Sequence, residues 1–178
     1  MNVADTRTSC VGAILFTDLV GFTEFNDIVG DARAYEVLDL QATLAGRAVA
    51  AVPGARVVKE LGDGLMIWID TAEAGLACAI ELMRGVERAR TDGELPLSVR
   101  MGMHHGEALA RGDDLVGQTI NIGARVADLA GPGELLVSDA VLAGCGDLGP
   151  NTRLEAVGPV FVKGVQEAVW LHRVAKTA

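Results

Sequence analysis

Residues 55–70 read ARVVKELGDGLMIWID, two apolar runs parted by Gly62, Asp63 and Gly64. Short runs of this kind, broken by Gly-Asp-Gly, predict a β-hairpin. Upstream, DARAYEVLDLQATLAGRAVAA over 31–51 has apolar residues at helical spacing and stops at Pro53 and Gly54, which predicts a helix. Before it, VGAILFTDLVGFT over 11–23 predicts a buried strand running into a loop that carries Asp18, Gly21 and Thr23. Downstream, TAEAGLACAIELMRGVERA over 71–89 predicts a second helix with Thr71 as its N-cap.

The second half continues the alternation. LSVRMGMHHGEALAR over 97–111 predicts a strand or a bent hairpin pivoting at Gly106. DLVGQTINIGARVADLA over 114–130 predicts an amphipathic helix closed by Gly-Pro-Gly, and ELLVSDAV over 134–141 a short strand entering a small helix. RLEAVGPVFVKGVQEAVWLHRV over 153–174 predicts two strands around a turn at Gly164 and Val165. The order predicts one α+β domain: a ferredoxin-like βαββαβ core extended to a mixed, mostly antiparallel sheet, with helices packed on one face. The expected boundaries are a flexible N-terminal segment over 1–10 and the folded domain over 11–178.

The chain of 178 residues is 50% apolar and carries a formal charge of −9. That acidity argues against a nucleic-acid or anionic-membrane surface, either of which needs a basic face. It leaves room for an anionic small ligand held by a few placed cations or a metal. Three scattered cysteines form no disulfide framework or metal spacing, and no signal peptide or bilayer-length apolar stretch is read. A cytoplasmic protein without membrane insertion is expected.

Neither a P-loop nor a GxGxxG stretch is present. His104 and His105 are adjacent, so on a strand they alternate faces, and a structural or surface role is expected for them. Two carboxylates stand out: Asp18 where a buried strand ends, and Asp63 at a hairpin tip. Each alone is an ordinary turn residue. Ends of neighbouring central strands lie side by side, however, and two close carboxylates repel unless a cation sits between them. The following DLVGFT supplies backbone N–H groups at a helix start, where phosphate oxygens bind.

FTDLVGFT, VVKELGDG and DDLVGQTINIGARV resemble the three signature blocks of the class III nucleotidyl cyclase catalytic domain, the family of adenylate and guanylate cyclases. VRMGMHHGE and PVFVKGV resemble its weaker blocks, so the likeness runs from about residue 11 to 174. The resemblance implies that Asp18 and Asp63 bind two divalent cations, Mg2+ or Mn2+ with Ca2+ as a non-productive occupant, assisted by the Leu19 carbonyl. It implies that amides around Phe22 and Thr23 hold the triphosphate and that Lys59 and Asp114 read the base. It gives Asn121 the ribose, Arg125 the reacting α-phosphate and Lys163 the terminal phosphates. The family's sites form between two domains, so a head-to-tail homodimer is implied, with Asp18 and Asp63 from one subunit and Lys59, Asp114, Asn121, Arg125 and Lys163 from its partner.

The chemistry of the residues agrees. Asn121 and Arg125 are four apart on a predicted helix and project from one face. Adenine's pairing edge offers a ring-nitrogen acceptor beside an amine donor, which a donor-only lysine and an acceptor-only carboxylate complement. Family members that act on GTP resemble the inverse, with Glu in place of Lys59. ATP is therefore the expected substrate, cyclised to 3′,5′-cyclic AMP and pyrophosphate. A guanylate cyclase and a non-catalytic nucleotide-binding module are the alternatives; Lys59 and Asp114 disfavour the first, and the complete set of carboxylates and Arg125 the second. Gly123 departs from the Ala or Ser usual in the family, at a cost of roughly 1 kcal/mol in helix propensity.

Overall fold

In the computed structural model, residues 8–146, 148, 152–163 and 165–175 are described. The elements run β1 (Ser9–Leu19), α1 (Phe22–Val29), α2 (Asp31–Ala50), β2 (Ala55–Leu61), β3 (Gly64–Ile69), α3 (Ala72–Thr91) and β4 (Val99–Arg111). They continue with β5 (Asp114–Val116), α4 (Gln118–Leu129), β6 (Leu135–Ser138), α5 (Asp139–Gly144), β7 (Arg153–Val160) and β8 (Val169–Ala175).

The hairpin that opened the sequence reading forms as β2 and β3, with Gly62 turning at φ 69°, a left-handed conformation that suits glycine. All six residues of β3 are buried, which explains why LMIWI lacks alternation. One mostly antiparallel sheet has the order β2-β3-β1-β4-β6-β8-β7, with β5 pairing β4. The first four strands in space, β2-β3-β1-β4, form the ferredoxin-like arrangement of two interlocked split βαβ units. Among the described strands, only β4 and β6 pair in parallel.

Helices cover both faces, not one. A Cβ on Gly75 of α3 would meet Ala13, Ile69 and Met103, whereas one on Gly123 of α4 would meet Ile14 and Phe16. Ala13 and Ile14 are consecutive on β1 and face opposite ways. The larger core therefore packs Leu15, Ile67 and Ile69 against α2 and α3. The second packs Ile14, Phe16, Met66 and Trp68 beneath α4. The amphipathic helix over 114–130, expected to share the face of the others, forms α4 on the second face, where it covers Ile14 and Phe16.

Local expectations fare unevenly. Thr71 caps α3, its hydroxyl accepting from the Ala74 amide at 3.2 Å. Residues 97–111 contain no bent hairpin: β4 is one strand of 13 residues, and Gly106 pairs with Gly12 in mid-strand. Residues 114–116 are strand, and α4 starts at Gln118. The loop expected after Asp18 is short, because Asp18 still belongs to β1 and α1 begins at Phe22. Of the expected turn at Gly164 and Val165, Gly164 lies outside the described residues, while the Val165 amide donates to the Val162 carbonyl at 3.0 Å. Of the expected N-terminal segment over 1–10, residues 1–7 lie outside the described residues.

His104 and His105 do alternate faces. His104 is buried and its Nδ1 lies 2.7 Å from the Ser138 hydroxyl; burial pushes its pKa down to about 4. His105 packs on the opposite side, beside Gly144.

Candidate active site

Strand ends and the two helices α1 and α4 build the site. Asp18 stands one residue from the end of β1, directly opposite Gly64 of β3 and Arg100 of β4. Asp63 is the turn residue immediately before Gly64. Burial raises the Asp63 carboxyl above the usual carboxylate range, and the neighbouring negative charge of Asp18 raises it further. The two acids thus feel each other, as their positions at adjacent strand ends suggested.

Asp18 has a partner that the sequence reading passed over. Nε and Nη2 of Arg100 both bond its Oδ2, at 2.7 and 2.6 Å. Nη1 of Arg100 donates to the Asp128 carbonyl near the end of α4, at 3.2 Å. No described residue hydrogen-bonds the other oxygen, Oδ1. Arg100 is therefore the resident counter-charge of Asp18 and ties the carboxylate to the C-terminal end of α4. The signal was a cation between apolar residues at the start of a strand, but only the β1–β4 register places it opposite Asp18.

Beside the carboxylates the chain turns into α1. Gly21 takes φ 78° as the N-cap, and the first α-helical bond runs from the Phe25 amide to the Gly21 carbonyl. The amides of Phe22 and Thr23 lie in the first turn, ahead of that bond, and have no intrahelical acceptor. Leu19 is buried at the end of β1.

Lys59 on β2 and Asp114 on β5 meet, Nζ lying 2.6 Å from Oδ2, although 55 residues separate them. The Leu115 amide holds the other carboxylate oxygen at 2.8 Å. The Lys59 hydrogen bond, then the Leu115 amide, holds the Asp114 carboxyl below its usual range. Both side chains are 39% exposed, so the pair is formed yet open to a ligand.

Between these two ends lies α4, antiparallel to β4. Thr119 donates to the Glu107 carbonyl at one end, and Arg100 reaches Asp128 at the other. A Cβ on Gly102 would lie 2.0 Å from the Ala127 amide nitrogen, and one on Gly123 would lie 2.6 Å from Ile14. Glycine at both positions lets α4 sink onto the sheet, which accounts for Gly123. Asn121 and Arg125 share the outward face, as predicted. Arg125 is 62% exposed and bonds its own neighbour Asp128 at 3.1 Å. Lys163 was expected on a strand; it is exposed in the turn between β7 and β8, because β7 ends at Val160. Neither Arg125 nor Lys163 bonds Asp18 or Asp63 in the chain.

The family model of the adenylate and guanylate cyclase catalytic domain matches residues 3–173. The chain belongs to this cyclase family. A pH-sensitive adenylate cyclase of Mycobacterium tuberculosis is 32% identical over 168 residues, covering 93% of this cyclase chain and 41% of that protein. An adenylate cyclase of Streptomyces coelicolor is 34% identical over 128 residues, 72% of this chain and 32% of that protein. The crystal structure of the adenylyl cyclase CyaB from P. aeruginosa shares the fold, with a TM-score of 0.84 over 96% of both chains at 20% identity. The cyclase chain spans less than half the length of these curated relatives.

Divalent cations suit the acidic end of this cyclase fold. Its donors are hard carboxylate oxygens, and one of them, Asp18 Oδ1, accepts no hydrogen bond from a described residue. Among the described residues no group of three or more His, Cys, Asp or Glu could hold an ion. Two carboxylates completed by phosphate oxygens is how Mg2+ is commonly held in nucleotide enzymes. No helix among the described residues is long and apolar enough to cross a membrane.

Proposed function

We propose that this chain converts ATP to 3′,5′-cyclic AMP and pyrophosphate, in sites shared between two copies in head-to-tail contact. The observation that carries the reading is the Lys59–Asp114 contact. A donor-only ammonium and an acceptor-only carboxylate sit side by side, matching the acceptor and donor of adenine's pairing edge. Guanine would set its ring N–H against the ammonium and leave a buried polar group unpaired, which a site can reject by up to about 10⁴-fold or more.

Asp18 and Asp63 would hold two divalent cations, with the Leu19 carbonyl assisting; the family likeness points to Mg2+ or Mn2+. Bound there, such ions supply charge neutralisation at the phosphates and a lowered pKa for the ribose 3′-hydroxyl. The chain's own groups do the rest. The amides of Phe22 and Thr23 face phosphate oxygens at the positive end of α1. Asn121 orients the ribose so that the 3′-oxygen attacks phosphorus in line with the departing pyrophosphate, Arg125 compensates the charge that develops on the α-phosphate, and Lys163 binds the terminal phosphates.

Sharing between copies is supported by the outward placement of the second set. Arg125 reaches only its helix neighbour Asp128, and Lys163 is exposed. β2 and α4, which carry members of this set, also expose large apolar side chains, Val57 and Leu61 on β2 and Leu129 on α4, and Phe161 is exposed two residues from Lys163. The direct test incubates the purified chain with ATP or GTP and Mn2+ and quantifies cyclic nucleotide and pyrophosphate. Equimolar cyclic AMP and pyrophosphate, with little cyclic GMP, is expected; cyclic GMP as the main product would overturn the base reading.

A further inference from the structure

The core-facing stripe of α2 runs Ala34, Val37, Gln41, Ala45, Ala48. Gln41 is the polar residue in it and is only 3% exposed. A buried amide needs partners to offset the loss of water, and Gln41 finds one in the hydroxyl of Thr17. Its Nε2 donates to Thr17 Oγ1 at 3.3 Å. The same oxygen accepts the backbone amide of Leu65 at 3.2 Å. One buried hydroxyl thus joins three elements: α2, β1 and β3.

The position of that junction gives it meaning. Thr17 immediately precedes Asp18, and Leu65 lies two residues beyond Asp63. Thr17 pairs with Leu65 and Asp18 with Gly64, so the junction is the rung next to the carboxylates. A cleft of about 130 Å³ lies between the hairpin and α2, bordered by Tyr35, Asp39, Glu60 and Gly62. Gln41 and Leu65 are also at the edge of that cleft.

We propose that Gln41, acting through Thr17, is a positioning residue that fixes the spacing of the Asp18 and Asp63 carboxylates and thereby the affinity of the site for a divalent cation. The inference rests on the reading of those two residues as the cation ligands. An apolar side chain at position 41 would fill the core as well or better, so packing alone does not call for an amide. Partners one step behind a metal ligand characteristically change affinity by about 10- to 100-fold when removed.

The test uses the full chain with a non-cyclisable ATP analogue and measures Mn2+ binding from the electron paramagnetic resonance of free Mn2+, beside the thermal midpoint of each variant. Gln41→Met, which keeps length and volume, is expected to weaken Mn2+ binding about 10-fold with little change in midpoint. Thr17→Val should weaken it similarly, and Thr17→Ser, which keeps the hydroxyl, should bind as wild type. Wild-type Mn2+ binding by Gln41→Met overturns the proposal. Should Gln41→Met fail to fold, the Thr17 pair decides: equal binding by Thr17→Val and Thr17→Ser overturns it. Asp18→Ala is run in parallel. If it loses Mn2+ while Gln41→Met does not, the positioning role alone fails; if it binds normally, the ligand assignment fails and the positioning role with it.

Discussion

Three glycines should respond to alanine with different signs, and the structure says which. Gly46 lies within α2, where an added Cβ meets nothing within 4 Å. Gly46→Ala therefore keeps only the propensity gain of about 1 kcal/mol, a rise in thermal midpoint of about 2–4 °C for a chain of this size. Gly123 lies within α4, where the same methyl group would sit 2.6 Å from Ile14 Cγ2 and 3.3 Å from the Phe16 ring. Overpacking of this kind costs about 1–3 kcal/mol, which offsets or exceeds the same propensity gain, so Gly123→Ala should lower the midpoint by up to about 8 °C. Gly102→Ala is the severe member. Its Cβ would meet the Ala127 backbone at 2.0 Å, where ordinary contact begins near 3.4 Å, and a helix backbone cannot rotate aside. The whole of α4 must lift, at a cost of about 3 kcal/mol or more. Because α4 carries Asn121 and Arg125, any folded Gly102→Ala protein should also lose turnover by about 100-fold, the usual effect of an ångström of misplacement. Circular-dichroism melts and urea titrations of the three variants, with activity assayed well below each midpoint, are the measurements. A Gly102→Ala protein as stable as wild type, or Gly123→Ala rising in step with Gly46→Ala, would refute the close seating of α4 on the sheet.

Other consequences follow from the same structure. Lys59→Glu combined with Asp114→Ala should cut ATP turnover and raise the relative use of GTP, and an unchanged ATP/GTP ratio in a competition assay would remove the pair from base recognition. His104, held neutral by burial with its pKa near 4 against an ordinary 6.5, makes stability fall with acid: between about pH 6.5 and 4 the unfolded chain takes up a proton that the folded chain refuses. The full effect is about 3 kcal/mol, and His104→Gln should flatten urea-derived stability across that window while leaving neutral pH behaviour similar; an unchanged slope would show that other groups dominate the acid response.

Much of this was readable in the chain because local chemistry dictated it. The Gly62–Asp63 turn between two apolar runs announced the hairpin, and the Thr71 cap announced α3. The meeting of Lys59 with Asp114 came only from the family likeness, since nothing local brings β2 to β5. Other features depend on register and layer. Gly106 looks like a pivot in sequence, yet pairing with Gly12 keeps β4 straight. Arg100 looks like an ordinary strand cation until the β1–β4 register sets it against Asp18. Gly102 and Gly123 gained their meaning only once α4 was seen to lie on the face opposite α2 and α3, and Gln41 only once Thr17 was seen to hold Leu65.

Mixing two inactive variants bears most directly on the shared site. Asp18→Ala alone removes a carboxylate from both sites of a homodimer, and Arg125→Ala alone removes the cation from both. In a mixed dimer one site carries both lesions and the other is intact. With free exchange about half the dimers are mixed, so activity should recover to roughly a quarter of wild type, growing with mixing time and fading on dilution. If exchange is demonstrated by a labelled subunit and the mixture stays as inactive as its components, the carboxylates and Arg125 do not serve one site from two chains.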